Sequence, residues 1–89
     1  MTLKLTRLKS FTKDQEKSKK RGKDLKKLQD VVSFLIEESP LPPKNRNHKL
    51  KGNCVGCWEC HIEPDWLLIY QKTESEIRLI AMGSHSDLF

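Results

Sequence analysis

Three strand-length apolar segments crowd into the second half of this chain, at residues 54–62, 66–71 and 76–82. Glu63-Pro64-Asp65 joins the first two and Thr73-Glu74-Ser75 joins the next pair. Connections this short leave no room for a crossover, so successive strands must be antiparallel neighbours. In the first segment, alternation puts Trp58, Cys60 and Ile62 on one face and Glu59 and His61 on the other. The unbroken apolar run from Trp66 to Tyr70 marks a central strand covered on both sides. A sheet of this kind has an apolar face that something else in the chain must cover.

The first half supplies the cover. Leu3, Leu5 and Arg7 alternate with Thr2, Lys4 and Thr6, a short first strand. Ser10 or Thr12 is placed to cap a helix, and Thr12-Lys13-Asp14-Gln15 has the spacing of a capping box. That helix runs to about Arg21 and stops near Gly22. No large apolar residue occurs from Thr12 to Asp24, so it is polar all round: it projects into solvent, binds a partner, or is marginally formed. A second helix begins near Lys23 or Asp24. Its stripe is Leu25, Leu28, Val32 and Leu35, joined by Val31 and Ile36, and Ser39-Pro40 ends it. Pro40-Leu41-Pro42-Pro43 is a stiff linker, a basic-polar segment follows over residues 44–51, and Gly52-Asn53 suggests a turn. The predicted fold class is α+β: an N-terminal strand, a two-helix hairpin, then an antiparallel β-meander, with the helices on one face of an antiparallel sheet. One domain over residues 1–89 is expected. A domain of this size buries only roughly 60% of its unfolded surface, so a bound partner would add needed stability.

Charge is distributed unevenly. Residues 1–30 hold 11 Lys or Arg against 4 Asp or Glu, a balance of +7, while the rest carries 6 against 8, or −2. A basic first third attracts polyanions such as RNA, or acidic proteins; a solvated lysine-rich helix without a partner has the same composition. The longest apolar run is too short to span a bilayer and the N-terminus lacks the apolar stretch of a secretory signal, so no membrane association and a cytoplasmic location are expected. Three cysteines cannot all pair within one chain, and reduced thiols are the simplest reading. Cys57-x-x-Cys60-His61 matches a haem-attachment pattern, and Cys54, Cys57 and Cys60 resemble part of an iron–sulfur run. Both need a backbone that gathers the sulfurs, whereas a strand sends residues three apart to opposite faces. No metal and no cofactor are therefore expected.

The chemistry-bearing residues are His48, His61 and His85, with Glu59 beside His61 on one strand face and Asp65 at the start of the next strand. Cleavage of RNA through its own 2′-hydroxyl needs a base for that proton, an acid for the departing 5′ oxygen, and a stabiliser for the phosphorane charge. Imidazoles titrate near neutrality and suit both proton transfers. A neighbouring carboxylate fixes a tautomer or holds an imidazole protonated. Position in sequence alone does not prove convergence, and three separate surface histidines with no common task are the favoured reading at that level.

The tail half carries a more specific signal. His48-Lys49-Leu50-Lys51-Gly52, the block Cys60-His61-Ile62-Glu63-Pro64-Asp65-Trp66-Leu67-Leu68-Ile69-Tyr70, and the end Gly83-Ser84-His85-Ser86-Asp87-Leu88-Phe89 strongly resemble YafQ-type toxins of the RelE/ParE superfamily. The resemblance covers about residues 45–89; before them only helix order and the Phe11-x-Lys13-Asp14 start match. It implies a RelE-like, microbial-ribonuclease-like sheet and the toxin of a type II toxin–antitoxin system, a metal-independent, ribosome-dependent endoribonuclease. Its implied partners are a cognate antitoxin, messenger RNA at the A site of the 70S ribosome, and operator DNA only in complex with the antitoxin. By position, His48, His61, Asp65 and His85 match the family's catalytic residues. Glu59, Trp66 and Phe89 match supporting positions. His85 is assigned the leaving group, His48 or Asp65 the 2′-hydroxyl, and Glu59 the orientation of His61. Two positions depart from the family pattern: Trp58 and Ala81 stand where an arginine is often found. Losing such a donor to the transition-state phosphate costs on the order of 2.7–4 kcal/mol, which implies either a weakened site or one that depends heavily on ribosomal groups. Lys49, Lys51 and Arg78 are the candidate RNA-binding substitutes. The alternative implied by these departures is a RelE-fold protein that inhibits translation, or represses its operon with an antitoxin, without cutting RNA.

Overall fold

The short turns of the second half build the expected meander. In a computed structural model, which describes residues 3–50 and 56–88, β3 (Cys57–Glu63), β4 (Trp66–Lys72) and β5 (Glu76–Gly83) pair antiparallel in succession. Two edge strands complete the sheet: β1 (Lys4–Arg7) and β2 (His48–Lys49), in the order β1-β5-β4-β3-β2. The apolar run Trp66–Tyr70 thus forms the central strand. The expectation of a wholly antiparallel sheet is corrected at one edge, where β1 runs parallel to β5 with Leu5 opposite Ile77. Alternation in a strand states which residues share a face but not which way the strand runs. About 70 residues, including two helices, separate these partners, ample chain for a parallel return.

Both long helices cover one face. Helix α1 (Lys9–Lys20) starts where β1 ends, so the capping expectation is corrected: the N-cap is Leu8, without a side-chain bond. The Leu8 amide donates to the Leu79 carbonyl, so the chain passes from sheet to helix with no polar cap between. Ser10 Oγ instead donates to the Ile80 carbonyl and Thr12 Oγ1 to the Leu8 carbonyl at 3.3 Å. Polar as it is, α1 is anchored by fully buried Phe11, by buried Ser18, and by Asp14, whose carboxylate accepts from the Met82 amide at 3.0 Å. Gly22, at φ 78°, closes it: the amides of Gly22 and Lys23 donate back to the carbonyls of Lys19 and Ser18. Helix α2 (Leu25–Ile36) begins beside Asp24, as expected; the Asp24 carboxylate accepts from the Lys26 amide and caps it, and the helix buries Leu28, Val31, Val32 and Leu35. These side chains join Phe11, Cys60, Ile62, Trp66, Leu68, Tyr70, Ile77, Leu79 and Met82 in one core. Each such fully buried side chain contributes roughly 1.5–3 kcal/mol against the ordering entropy.

The cysteines depart from expectation in part. Cys57 is disulfide-bonded, which corrects the reading of three reduced thiols; Cys60 is free and buried, and Cys54 lies outside the described residues. On β3, Cys60 belongs to the core under the helices and Cys57 does not, as strand alternation requires of residues three apart. Among the described residues, no helix is long and apolar enough to cross a membrane.

Candidate active site

The face of the sheet turned away from the helices carries the histidines. Paired residues of neighbouring strands share a face. The register therefore lines His48, Glu59, Ile69 and Ala81 in one row, and His61, Leu67 and Gly83 in the next. The strand pair β2–β3, unrecognised in the basic segment because it is only two residues long, is what sets His48 opposite Glu59. Residues before it are pinned from below. Asn45, 5% exposed, donates from Nδ2 to the His61 carbonyl at 2.7 Å, and Tyr70 donates its hydroxyl to Asn47 Oδ1 at 2.7 Å. Neither asparagine stands out in the sequence, where residues 44–51 read only as a basic-polar segment.

Glu59 organises the site. Its carboxylate is 7% exposed, and one oxygen, Oε1, lies 3.2 Å from His48 Nε2 and 3.7 Å from His61 Nε2. A carboxylate is costly to bury without partners; here two imidazoles share it. The other nitrogen of His61, Nδ1, lies 3.3 Å from the Pro64 carbonyl, which sets the plane of that ring. His61 also faces His85, their ring centroids 6.1 Å apart and the planes tilted by 56°. His85 opens the short helix α3 (His85–Leu88), an element too brief to announce itself in sequence. Its backbone amide donates to Asp65 Oδ1 at 3.1 Å, and its ring Nδ1 lies 3.8 Å from the same oxygen. The four residues singled out as catalytic, with Glu59, thus form one continuous series: His48, Glu59, His61, His85, Asp65.

The remaining candidates are placed differently. Trp66 is 1% exposed in the core, with the Lys23 ammonium 5.8 Å above its ring. Trp58 pairs with Lys49 and Tyr70 and packs against the core, so its side chain is on the helix face and not beside Glu59. Ala81, in the row of Glu59, does face the site. Arg78 is on the site face too, beside Gln71, but its guanidinium is held by Glu76 at 2.8 Å and by Gln71 at 3.3 Å. Lys49 is exposed on the edge strand. Lys51 and Phe89 lie outside the described residues. His48 and His85 have half or more of their side chains exposed and His61 has 12%. The site is therefore a shallow strip with one recessed imidazole, a shape suited to an extended polymer.

Such a constellation can exchange protons at two points either side of a phosphodiester. His48, Glu59 and His61 could also hold a metal ion, since one donor atom from each lies within 4.8 Å of the others.

Comparison with known proteins identifies the family and the fold. Residues 3–89 match the family described as the bacterial toxin of type II toxin–antitoxin systems, YafQ. The chain is 39% identical over 80 residues to the mRNA interferase toxin YafQ of Escherichia coli K12, covering 89% of this chain and 87% of that one. It superposes on the toxin of the E. coli DinJ–YafQ toxin–antitoxin complex with a TM-score of 0.94 at 34% identity, covering 100% of this chain and 99% of that one. A metal-bound toxin from Helicobacter pylori is similar at a TM-score of 0.92 and 45% identity, covering 98% of this chain and 99% of that one. The chain belongs to the YafQ family of toxins of type II toxin–antitoxin systems.

Proposed function

We propose that this toxin is an endoribonuclease that cuts messenger RNA on the ribosome, in the cytoplasm, by histidine acid–base catalysis without a resident metal. The observation that carries the reading is the Glu59 carboxylate shared by His48 and His61, with His85 beside the latter. His48, backed by Glu59, takes the proton of the 2′-hydroxyl. The 2′ oxygen then bonds to phosphorus, the bond from phosphorus to the 5′ oxygen breaks, and His85 delivers a proton to that oxygen. The products are a 2′,3′-cyclic phosphate and a 5′-hydroxyl. Asp65 serves His85 in this scheme, because its carboxylate is already engaged with the His85 amide; that favours His48 over Asp65 at the 2′-hydroxyl. His61, between them, supplies positive charge to the phosphorane. With Ala81 in the row where an arginine would reach the phosphate, His61 and ribosomal groups carry that stabilisation, and the rate is set lower than an arginine would allow.

A bound metal is read as an inhibitor. The H. pylori toxin is described as metal-bound, and imidazole with carboxylate donors suits zinc or copper here. Such an ion would occupy the His48 lone pair that takes the 2′ proton and would tie up His61, which serves the phosphorane. The family also supplies the partner: the E. coli toxin is crystallised with its antitoxin DinJ, and an acidic antitoxin segment suits the lysines of α1. Operator DNA would be bound only through that complex.

The test is primer extension on a messenger RNA in a purified translation system, with wild type and His85→Ala side by side. Ribosome-dependent breaks within codons, lost in the variant, are expected. Arrested translation with intact RNA would replace the reading by a binding-only toxin, for which Ala81 offers the structural reason.

A further inference from the structure

His85 sits at the very end of the sheet, in a turn of helix too short to hold itself in place. Two carboxylates hold it. Asp65 caps the His85 amide, as described above. Asp87 closes the turn from the other side: its Oδ2 accepts from the Ser84 amide at 3.0 Å, while its own amide donates to Ser84 Oγ at 3.2 Å. The same carboxylate is gripped from across the fold. Arg21, at the C-terminal end of α1, donates from Nη1 to Asp87 Oδ2 at 2.8 Å, and Lys17 Nζ lies 3.7 Å from Oδ1. Gly83 makes the fit close: a Cβ there would stand 2.9 Å from Asp87 Cβ. The Ser84 amide, the Arg21 guanidinium and the Ser84 hydroxyl together hold the Asp87 carboxyl well below the usual carboxylate range, so it stays ionised through neutral and mildly acidic pH.

We propose that Asp87, clasped by Arg21 and Lys17 of α1 and closing the turn over Gly83 and Ser84, is a positioning residue that fixes the His85 imidazole for proton transfer. This rests on the ribonuclease reading. A salt bridge this exposed contributes little to global stability. Its consequence is local: a shift of about 1 Å in a group that must meet a departing oxygen can cost about a hundredfold in rate. The lysine-rich helix thereby acquires a task inside the fold, beyond any polyanion its outer face attracts. Arg21 and Lys17 are latch residues first, and the sequence offers no sign of it because 66 positions separate Arg21 from Asp87.

The experiment compares wild type, Asp87→Asn, Asp87→Ala, Arg21→Ala, Arg21→Lys, the double variant Arg21→Ala/Asp87→Ala and His85→Ala. Three readouts are needed: kcat and KM of ribosome-dependent cleavage, Tm, and amide hydrogen exchange at Ser84 and His85. The latch predicts a kcat lowered about tenfold or more in Asp87→Ala, with KM unchanged and Tm within about 5 °C of wild type. Exchange at Ser84 and His85 rises, Arg21→Lys retains more activity than Arg21→Ala, and the double variant is no worse than the poorer single one. A raised KM at constant kcat in the Arg21 variants would make that residue a contact for RNA or ribosome and overturn the latch. So would a wild-type kcat in Asp87→Ala, or a loss of activity that merely follows the unfolded fraction. Should His85→Ala cleave as well as wild type, the ribonuclease scheme itself fails and the latch fails with it, a result distinguishable from failure of the latch alone.

Discussion

Glu59→Gln isolates the charge at the centre of the site. The substitution keeps the shape of a side chain that is 7% exposed and removes the negative charge shared by His48 and His61 at 3.2 and 3.7 Å. Opposite unit charges about 4 Å apart attract by about 4 kcal/mol at an effective dielectric constant of about 20. Half of the His48 side chain is open to solvent, and screening there reduces the useful part to about 1–2 kcal/mol. Since the attraction grows as an imidazole gains a proton during the reaction, its loss falls on kcat, by about 5–30-fold. Folding responds differently. The native state no longer pays to desolvate a carboxylate, and a neutral isostere at a buried ionic position is often tolerated. Tm is therefore expected to move by only a few degrees. The assay is single-turnover cleavage on programmed ribosomes at saturating toxin, with Tm measured on the same preparations. Wild-type kcat in Glu59→Gln would refute the reasoning, and so would a large fall in Tm with unchanged activity per folded molecule, since Glu59 would then be a structural residue.

Three further outcomes are expected. Tyr70→Phe keeps the ring in the core but frees Asn47, the neighbour of His48; a net cost of about 1 kcal/mol, read as a Tm lower by roughly 4–8 °C, should accompany a reduced kcat. The Cys60 thiol is pushed up to about 12 by burial, with the nearby Glu59 charge adding to it. Its folded pKa exceeds the ordinary 9.0, so the associated stability is complete below pH 9 and declines as pH rises toward 12, by at most about 1.4 kcal/mol per unit. Urea midpoints should fall over that window and fall less in Cys60→Ala, and iodoacetamide should label Cys60 only after unfolding. Finally, micromolar copper or zinc should inhibit cleavage reversibly and chelator should restore it; His48→Ala should weaken binding of the metal in calorimetry. Metal-dependent activation would reverse the proposed reading.

The parts legible in sequence were those in which one strand or helix carries its own pattern. Alternation within 54–62 separated Glu59 and His61 from Cys60 and Ile62, as β3 (Cys57–Glu63) bears out; the stripe from Leu25 to Ile36 marked α2. What escaped notice depends on distant partners or on elements of two to four residues. Strand β2 exists because β3 pairs with it, α3 because Asp87 and Ser84 cap each other, and the direction of β1 because of how the chain returns to it. The Leu8 end of α1 belongs here too, since the partner of its amide, Leu79, lies at the other end of the sequence.

Convergence of the histidines follows from register, and register contains a step that composition does not reveal. Between β4 and β5 the pairing shifts at Ile69/Tyr70: Tyr70 faces Leu79, but Ile69 faces Ala81, so Ile80 is the extra residue. Without that bulge Met82 would stand opposite Leu67, in the row of His61, and its large side chain would turn onto the open face. With it, Met82 is buried at 2% exposure beneath the helices, and Gly83 takes the place opposite Leu67. The chain then leaves the sheet through the one residue small enough to let Asp87 fold back, and His85 emerges beside His61. The bulge thus serves the core and the site at once: the same one-residue step that buries a methionine delivers the last histidine to the first two.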